Sequence, residues 1–303
     1  MMKSRRDSST RVYTPHITKW RDFCKYRNIH DTYTTVPRVL EFLQTLVDRD
    51  FSYSTVNMAK SAITTCIILP QQEQLGLNPD VKTFMRGVFN LRPPLTRHTH
   101  VCDPDQVLNF LKSREGPDKL PTEPLVKFLA TLILLTTGQR PQILTALRIT
   151  DLCVQKDRAI FTLQNKDVKQ GRPGYKPPVV SLRKYEVDPK LCVYTHLVEY
   201  MKRSKHNREK VDQLFITCKK PFKAITANTG ARWVKDVLRM SGVDTTRYSA
   251  GSARAAATSK AQTQGAPIDI IMAAAGWSNS STFAKYYCKQ VVMDQDLSAF
   301  ILP

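Results

Sequence analysis

The sequence predicts a mainly α-helical fold with a small antiparallel β-sheet, divided into two domains. Three observations carry that prediction. Apolar residues recur at helical spacing through most of the 303 residues. Two short β-prone runs, Ala159 to Leu163 and Val179 to Leu182, flank a Gly/Pro-rich stretch, which is the pattern of a strand and its return. Between the helical runs, Leu91 to Val101 breaks the pattern, because Pro93-Pro94 forbids helix and favours extended chain. The expected division is therefore 1–92, a helical bundle; 93–102, a linker; and 103–303, a mixed domain with a C-terminal tail.

Met1 to Ser9 is polar and basic and reads as a flexible arm. Tyr13, Ile17, Trp20 and Cys24 then fall on one helical face, as do Val39, Leu40, Leu43, Leu46 and Val47. A third helix is expected from a cap at Ser54, with Val56, Ala59, Ile63 and Ile67 inward. A fourth follows Asn78-Pro79 and carries Val81, Phe84, Met85 and Val88. In the second domain Asp103-Pro104 opens a helix, since Asp caps well and Pro suits the first turn. A long apolar helix runs from Pro124 to about Thr137 and is closed by Gly138, with Leu144, Leu147 and Leu152 continuing the core. The two strands come next, separated by the basic loop Asn165 to Pro178. Helices are expected at about 190–203 and 228–240, with a short strand or edge at Leu214 to Thr217 between them, and the chain reads as helical from Ser249 onward.

Composition narrows the function. A formal net charge of +20 is the footprint of a nucleic-acid binder, and the basic residues occur in both halves rather than in one tail. With 42% hydrophobic residues the chain buries a core, which excludes a disordered tail protein. Arg92 and Arg97 in the stretch Leu91 to Val101, and Lys166, Arg172 and Lys176 in the basic loop, are candidate contacts to a nucleic-acid backbone. The most apolar run, Phe128 to Leu135, is too short to cross a bilayer, so no membrane partner is expected. The seven cysteines are odd in number with no Cys-x-x-Cys, which fits a reducing compartment. His98 and His100 form a His-x-His step that reads by default as part of a phosphate-tracking linker, not as a metal site. No cofactor is expected, and the sequence shows no Asp/Glu cluster for divalent-metal nuclease chemistry.

The chemistry-bearing residues lie in two stretches. Thr136-Thr137-Gly138-Gln139-Arg140 places an arginine at the end of an apolar helix. Tyr248 to Tyr287 holds Arg254, a run of small residues, the step Ala275-Gly276-Trp277, and the pair Tyr286-Tyr287. Arginines hold and neutralise a phosphate, and a tyrosine attacks it. Taken singly each residue is ordinary: a solvated arginine, a core tryptophan, a packed tyrosine. Their order and spacing point to a set.

That set resembles the tyrosine recombinases, the phage-integrase family, over essentially the whole chain. Its end, Ser281-Thr282-Phe283-Ala284-Lys285-Tyr286-Tyr287, is similar to the recombinases of DIRS-like and Ngaro-like retrotransposons. The resemblance implies a helical core-binding domain followed by a catalytic domain, closing as a clamp on double-stranded DNA and working as a homotetramer on two sites. It implies site-specific recombination through a 3′-phosphotyrosyl intermediate. Arg140 and Arg254 would be the two catalytic arginines, and Lys169 the hairpin lysine, with Lys166 as the alternative. Trp277 stands where the family has His or Trp, and Tyr286, nine residues later, would be the nucleophile. The chain departs from the family at two positions: Gly251 replaces the usual His of the His-x-x-Arg box, and Ile143 replaces an acidic residue. Two alternatives remain, a DNA-binding protein that has lost its chemistry at Gly251, or a type IB topoisomerase-like relaxing activity. A eukaryotic host would place the protein in the nucleus; any other host, in the cytoplasm.

Overall fold

The N-terminal helices pack because their apolar residues line up on inward faces, and Trp20 shows how. Its indole is fully buried, meets Phe42 edge-on at 5.3 Å, and donates its N–H to the Asp31 carbonyl at 2.7 Å. The structure is a computed structural model, and it describes residues 7–94, 101–165, 174, 177–208 and 210–277. The chain divides into two compact units, 1–97 and 98–303.

The first unit contains α1 (Asp7–Arg27), α2 (Val36–Asp48), α3 (Tyr53–Ile63) and α4 (Pro79–Leu91). Val39, Leu43 and Leu46 of α2 meet Val56, Ala59 and Ile63 of α3 in one core, closed by Val81, Met85 and Val88 of α4. The cap of α3 is Ser52, not Ser54: the Ser52 hydroxyl accepts the Thr55 N–H at 3.3 Å, while Ser54 lies inside the helix. Both serines precede the same apolar run, so spacing alone does not separate them. Asn78 caps α4 as expected, accepting from Asp80 and Val81.

The second unit contains α5 (Pro104–Lys112), α6 (Thr122–Thr137), the strands β1 (Leu152–Val154), β2 (Arg158–Thr162) and β3 (Val179–Arg183), then α7 (Val193–Ser204), α8 (Ala227–Met240), α9 (Ser252–Thr263) and α10 (Ile268–Ala275). α6 is mostly apolar because it is the central helix, with α7, α8 and α9 packed around it. The strands form one antiparallel sheet in the order β1-β2-β3, with Phe161 opposite Val180 and Ala159 opposite Leu182, all four buried. β1 is an additional strand, where the sequence predicts only continued core. It is three residues long and mostly exposed, too short to show alternation. Leu214 to Thr217 makes no strand. Leu214, Phe215 and Ile216 are buried in succession, and the segment pairs only through isolated bridges, Arg148 with Gln213 and Ile216 with Ala224. The fold class is therefore as expected, mainly α with a small antiparallel sheet. Among the described residues no helix is long and apolar enough to cross a membrane.

Candidate active site

The site is built where three chain segments meet, and a glycine at the end of α6 makes the meeting possible. Gly138 takes φ 61° and ψ 18°, a left-handed cap that turns the chain out of the helix. A Cβ there would also lie 2.9 Å from Cγ2 of Thr258 on α9, so both conformation and space call for glycine. The next two residues are Gln139, which is buried, and Arg140, which is half-buried. Pro141–Thr145 then forms a single 3-10 turn that packs on α8. Gly230 admits that approach, because a Cβ there would press on Leu144 Cδ1 at 3.2 Å.

Arg254 comes from α9, whose small residues Ala253 and Ala256 are fully buried and let the helix lie close to its neighbours. The arginine is 2% exposed. Its Nη1 donates to the Gly138 carbonyl and to the Ala275 carbonyl, each at 2.8 Å, and its guanidinium lies over the Trp277 ring at 4.0 Å. One fork thus joins the loop entering Arg140 to the end of α10. The Thr258 hydroxyl donates to the Arg254 carbonyl at 2.8 Å and fixes the turn that presents the side chain.

α10 ends in a second left-handed glycine, Gly276, at φ 70°. A Cβ there would lie 3.0 Å from Cγ of Pro178, so the end of α10 rests against the base of the hairpin that carries the basic loop. Trp277 is the next residue, 6% exposed, packed with Ile271 and Ala275.

Three further positions read differently once seen in place. Arg140 donates no hydrogen bond and makes no ion pair among the described residues. Gly251 sits in ordinary right-handed helical conformation, φ −68° and ψ −21°, and is exposed; an added Cβ would meet only the Ser249 hydroxyl at 3.5 Å. Nothing in the backbone demands glycine there. Ile143 is buried in the core of the unit, so the position of the family's acidic residue has become packing.

Arg92, a candidate DNA contact by sequence, has another use. Its Nη1 donates to the carbonyls of Val47 (2.9 Å) and Phe51 (3.0 Å), and its Nη2 pairs with Asp50 at 2.6 Å, so its donors cap α2. Lys166, Lys169, Arg172, Lys176, Arg97 and Tyr286 lie outside the described residues, as do His98, His100 and the C-terminal tail. Gln139 is a site residue that the sequence pattern does not reveal. Its amide donates to the Ala274 carbonyl, 135 residues along the chain, and no local pattern announces such a bond. Among the described residues no group of three His, Cys, Asp or Glu side chains is placed to hold a metal ion.

The profile of the phage integrase family matches residues 101–291, nearly two thirds of the chain. The chain belongs to the phage integrase family. A comparison with curated proteins gives no match. Solved structures of the same fold include the XerH site-specific recombinase bound to palindromic difH substrate, with a TM-score of 0.58 at 15% identity over 84% of this chain and 68% of that one. Lambda integrase residues 75–356, a dimer bound to a COC′ core site, gives 0.54 at 12% identity over 96% of this chain and 93% of that one. The Tn1549 transposon integrase, in complex with transposon right-end DNA, gives 0.53 at 17% identity over 88% and 84%. At these identities the likeness is one of fold. The family match shows that this is a tyrosine recombinase by descent, and Arg140, Arg254 and Trp277 all fall inside the matched region.

Proposed function

We propose that this chain is a site-specific DNA recombinase that cuts and rejoins strands through a covalent bond between Tyr286 and a 3′ phosphate. The observation that carries the reading is the Arg254 fork. It joins the turn before Arg140 to the turn before Trp277, so three positions far apart in sequence belong to one site. In the proposed step the Tyr286 oxygen forms a bond to phosphorus and loses its proton to solvent. The bond from phosphorus to the 5′ oxygen breaks, and that oxygen takes a proton from Lys169, or from Lys166 in its place. Arg140 and Arg254 neutralise the charge that builds on the non-bridging oxygens, and Trp277 adds its indole N–H. The phosphotyrosyl bond conserves the energy of the broken one, so a free 5′ hydroxyl from a partner strand reverses the step without ATP.

The partner is double-stranded DNA, gripped by both units as a clamp and paired with a second site in a homotetramer. The +20 charge supports that reading, and the solved relatives include a lambda integrase tetramer bound to a Holliday junction. The stretch Arg254 to Tyr286, with Ser281 to Tyr287 at its end, favours a retrotransposon recombinase of the DIRS or Ngaro type, acting in a eukaryotic nucleus. The test is covalent trapping on nicked duplexes drawn from the DNA flanking the coding region. Wild type and Tyr287→Phe should form a protein–DNA adduct; Tyr286→Phe should form none while binding DNA normally. Tight binding by the wild type with no adduct would instead make it a DNA-binding descendant, with Gly251 as the lesion.

A further inference from the structure

The last four carbonyls of any helix lack partners within it. In α10 all four are satisfied. The Met272 carbonyl accepts the Trp277 N–H at 2.9 Å and the Ala273 carbonyl accepts the Gly276 N–H at 3.2 Å, the paired bonds of a Schellman cap. The other two accept from side chains of distant segments: Ala275 from Arg254 at 2.8 Å, and Ala274 from the Gln139 amide. Gln139 is 6% exposed and stands between Gly138, whose own carbonyl Arg254 holds, and Arg140.

We propose that Gln139 is a positioning residue for strand cleavage, fixing the turn at the end of α10 relative to Arg140. A single bond from Arg254 lets the Arg140 loop pivot about Gly138, while a second bond one residue further along removes that freedom. The α10 turn carries Trp277 directly, and Tyr286 comes nine residues later in the chain. Gln139 touches no substrate in this scheme; it keeps Trp277 in register with the arginine that receives the phosphate. The inference rests on the recombinase reading for its consequence in catalysis, but the tie itself is a property of the fold.

Two variants of the full chain test it. Gln139→Met keeps the length and removes the donor. Gln139→Asn keeps the amide and shortens its reach. Gln142→Met, an exposed glutamine in the next turn, is the control. Hydrogen–deuterium exchange should show the Gly276 and Trp277 amides opening about three- to tenfold faster in both Gln139 variants, the scale of one lost hydrogen bond. Peptides from α7 and the sheet should stay unchanged. With nicked DNA at saturation, adduct formation should slow by about tenfold or more while DNA affinity stays at wild-type level, because a misplacement near 1 Å costs rate before it costs binding. Unchanged exchange at the end of α10 would overturn the proposal whatever the adducts show. Faster exchange with normal adduct formation would overturn the catalytic half. Loss of fold in both variants would overturn it too, by making Gln139 a general stability residue. A wild type that forms no adduct would remove the recombinase reading and, with it, the catalytic half; the exchange data would still decide whether the tie exists.

Discussion

Arg92 and Arg140 are both half-buried arginines beside a helix end, and the molecule uses them in opposite ways. Arg92 has its fork occupied: two backbone carbonyls and the Asp50 carboxylate take its protons, and its charge is answered within its own unit. Arg140 keeps its fork open. It succeeds a left-handed turn and leads into a 3-10 turn seated on α8, and among the described residues nothing accepts from it. Holding a partly desolvated charge without an answering group costs free energy. That contrast is what the proposed role of Arg140 requires, since an anion arriving from outside would supply the answering group. Arg254 has one nitrogen fixed on two carbonyls and its plane on an indole.

The largest expected effect separates the two arginines in opposite directions. Arg140→Ala should slow adduct formation by roughly a hundredfold, the scale seen when a transition-state donor is removed. It should leave unfolding free energy within about 0.5 kcal/mol of wild type. Arg92→Ala should do the reverse. It strips a charged donor from two carbonyls and should destabilise the first unit by about 2–3 kcal/mol, with little added by the exposed Asp50 pair. Adduct formation should be normal wherever the protein is folded. Chemical denaturation and covalent trapping on the same pair of variants check both halves. If Arg140→Ala destabilised as much as Arg92→Ala, the contrast would collapse and Arg140 would be structural.

A smaller effect is expected at Gly251. Its backbone is right-handed and its missing Cβ has space, so Gly251→His should fold without strain. Both Gly251→Ala and Gly251→His should gain about 0.4–1 kcal/mol, because losing glycine restricts the unfolded chain. Only the histidine should also speed adduct formation, by about tenfold, since an added imidazole one turn before Arg254 supplies acid–base help. Equal adduct rates for the two variants would show that another group already does that work.

The pattern of helices was legible because it depends on local chemistry. Asp103 before Pro104, Asn78 before Pro79 and Gly138 after an apolar run are punctuation that needs no tertiary context. The misses share a cause. Ser52 and Ser54 are interchangeable until the Thr55 N–H chooses between them. Leu214 to Ile216 looks like a strand because it is uniformly apolar, yet burial on all sides does not supply a pairing edge. At the candidate site, order and spacing single out Arg254 and Trp277, which the structure brings into contact, and Arg140, two residues past the carbonyl that Arg254 holds. The partners of Arg92 and the Gln139 tie were not legible, since both turn on which carbonyl lies opposite a side chain from a distant part of the chain.

The smallest effect concerns a group kept neutral, and it sharpens the contrast with the charged arginines. His196 is 1% exposed, and burial pushes its pKa below the ordinary imidazole value of 6.5. Its Nδ1 lies 3.0 Å from the Cys192 carbonyl, which only accepts, so Nδ1 carries the proton of the neutral ring. Above pH 6.5 the folded and unfolded rings are both neutral, and His196 contributes no pH dependence. As pH falls below that value the unfolded chain takes up a proton that the folded ring still refuses. Stability therefore drops with falling pH until the folded value is passed, and then levels. Melting curves between pH 8 and pH 5 should show wild type losing more stability than His196→Gln, which keeps a donor for the Cys192 carbonyl but has nothing to protonate. The lowered value of His16 is common to both proteins and cancels in the difference. Parallel curves would mean that His196 titrates as freely as a solvated imidazole. Confirmation would also bear on Gly251: a ring that must stay neutral and bound to its own helix is not the acid–base group that replaces the missing histidine.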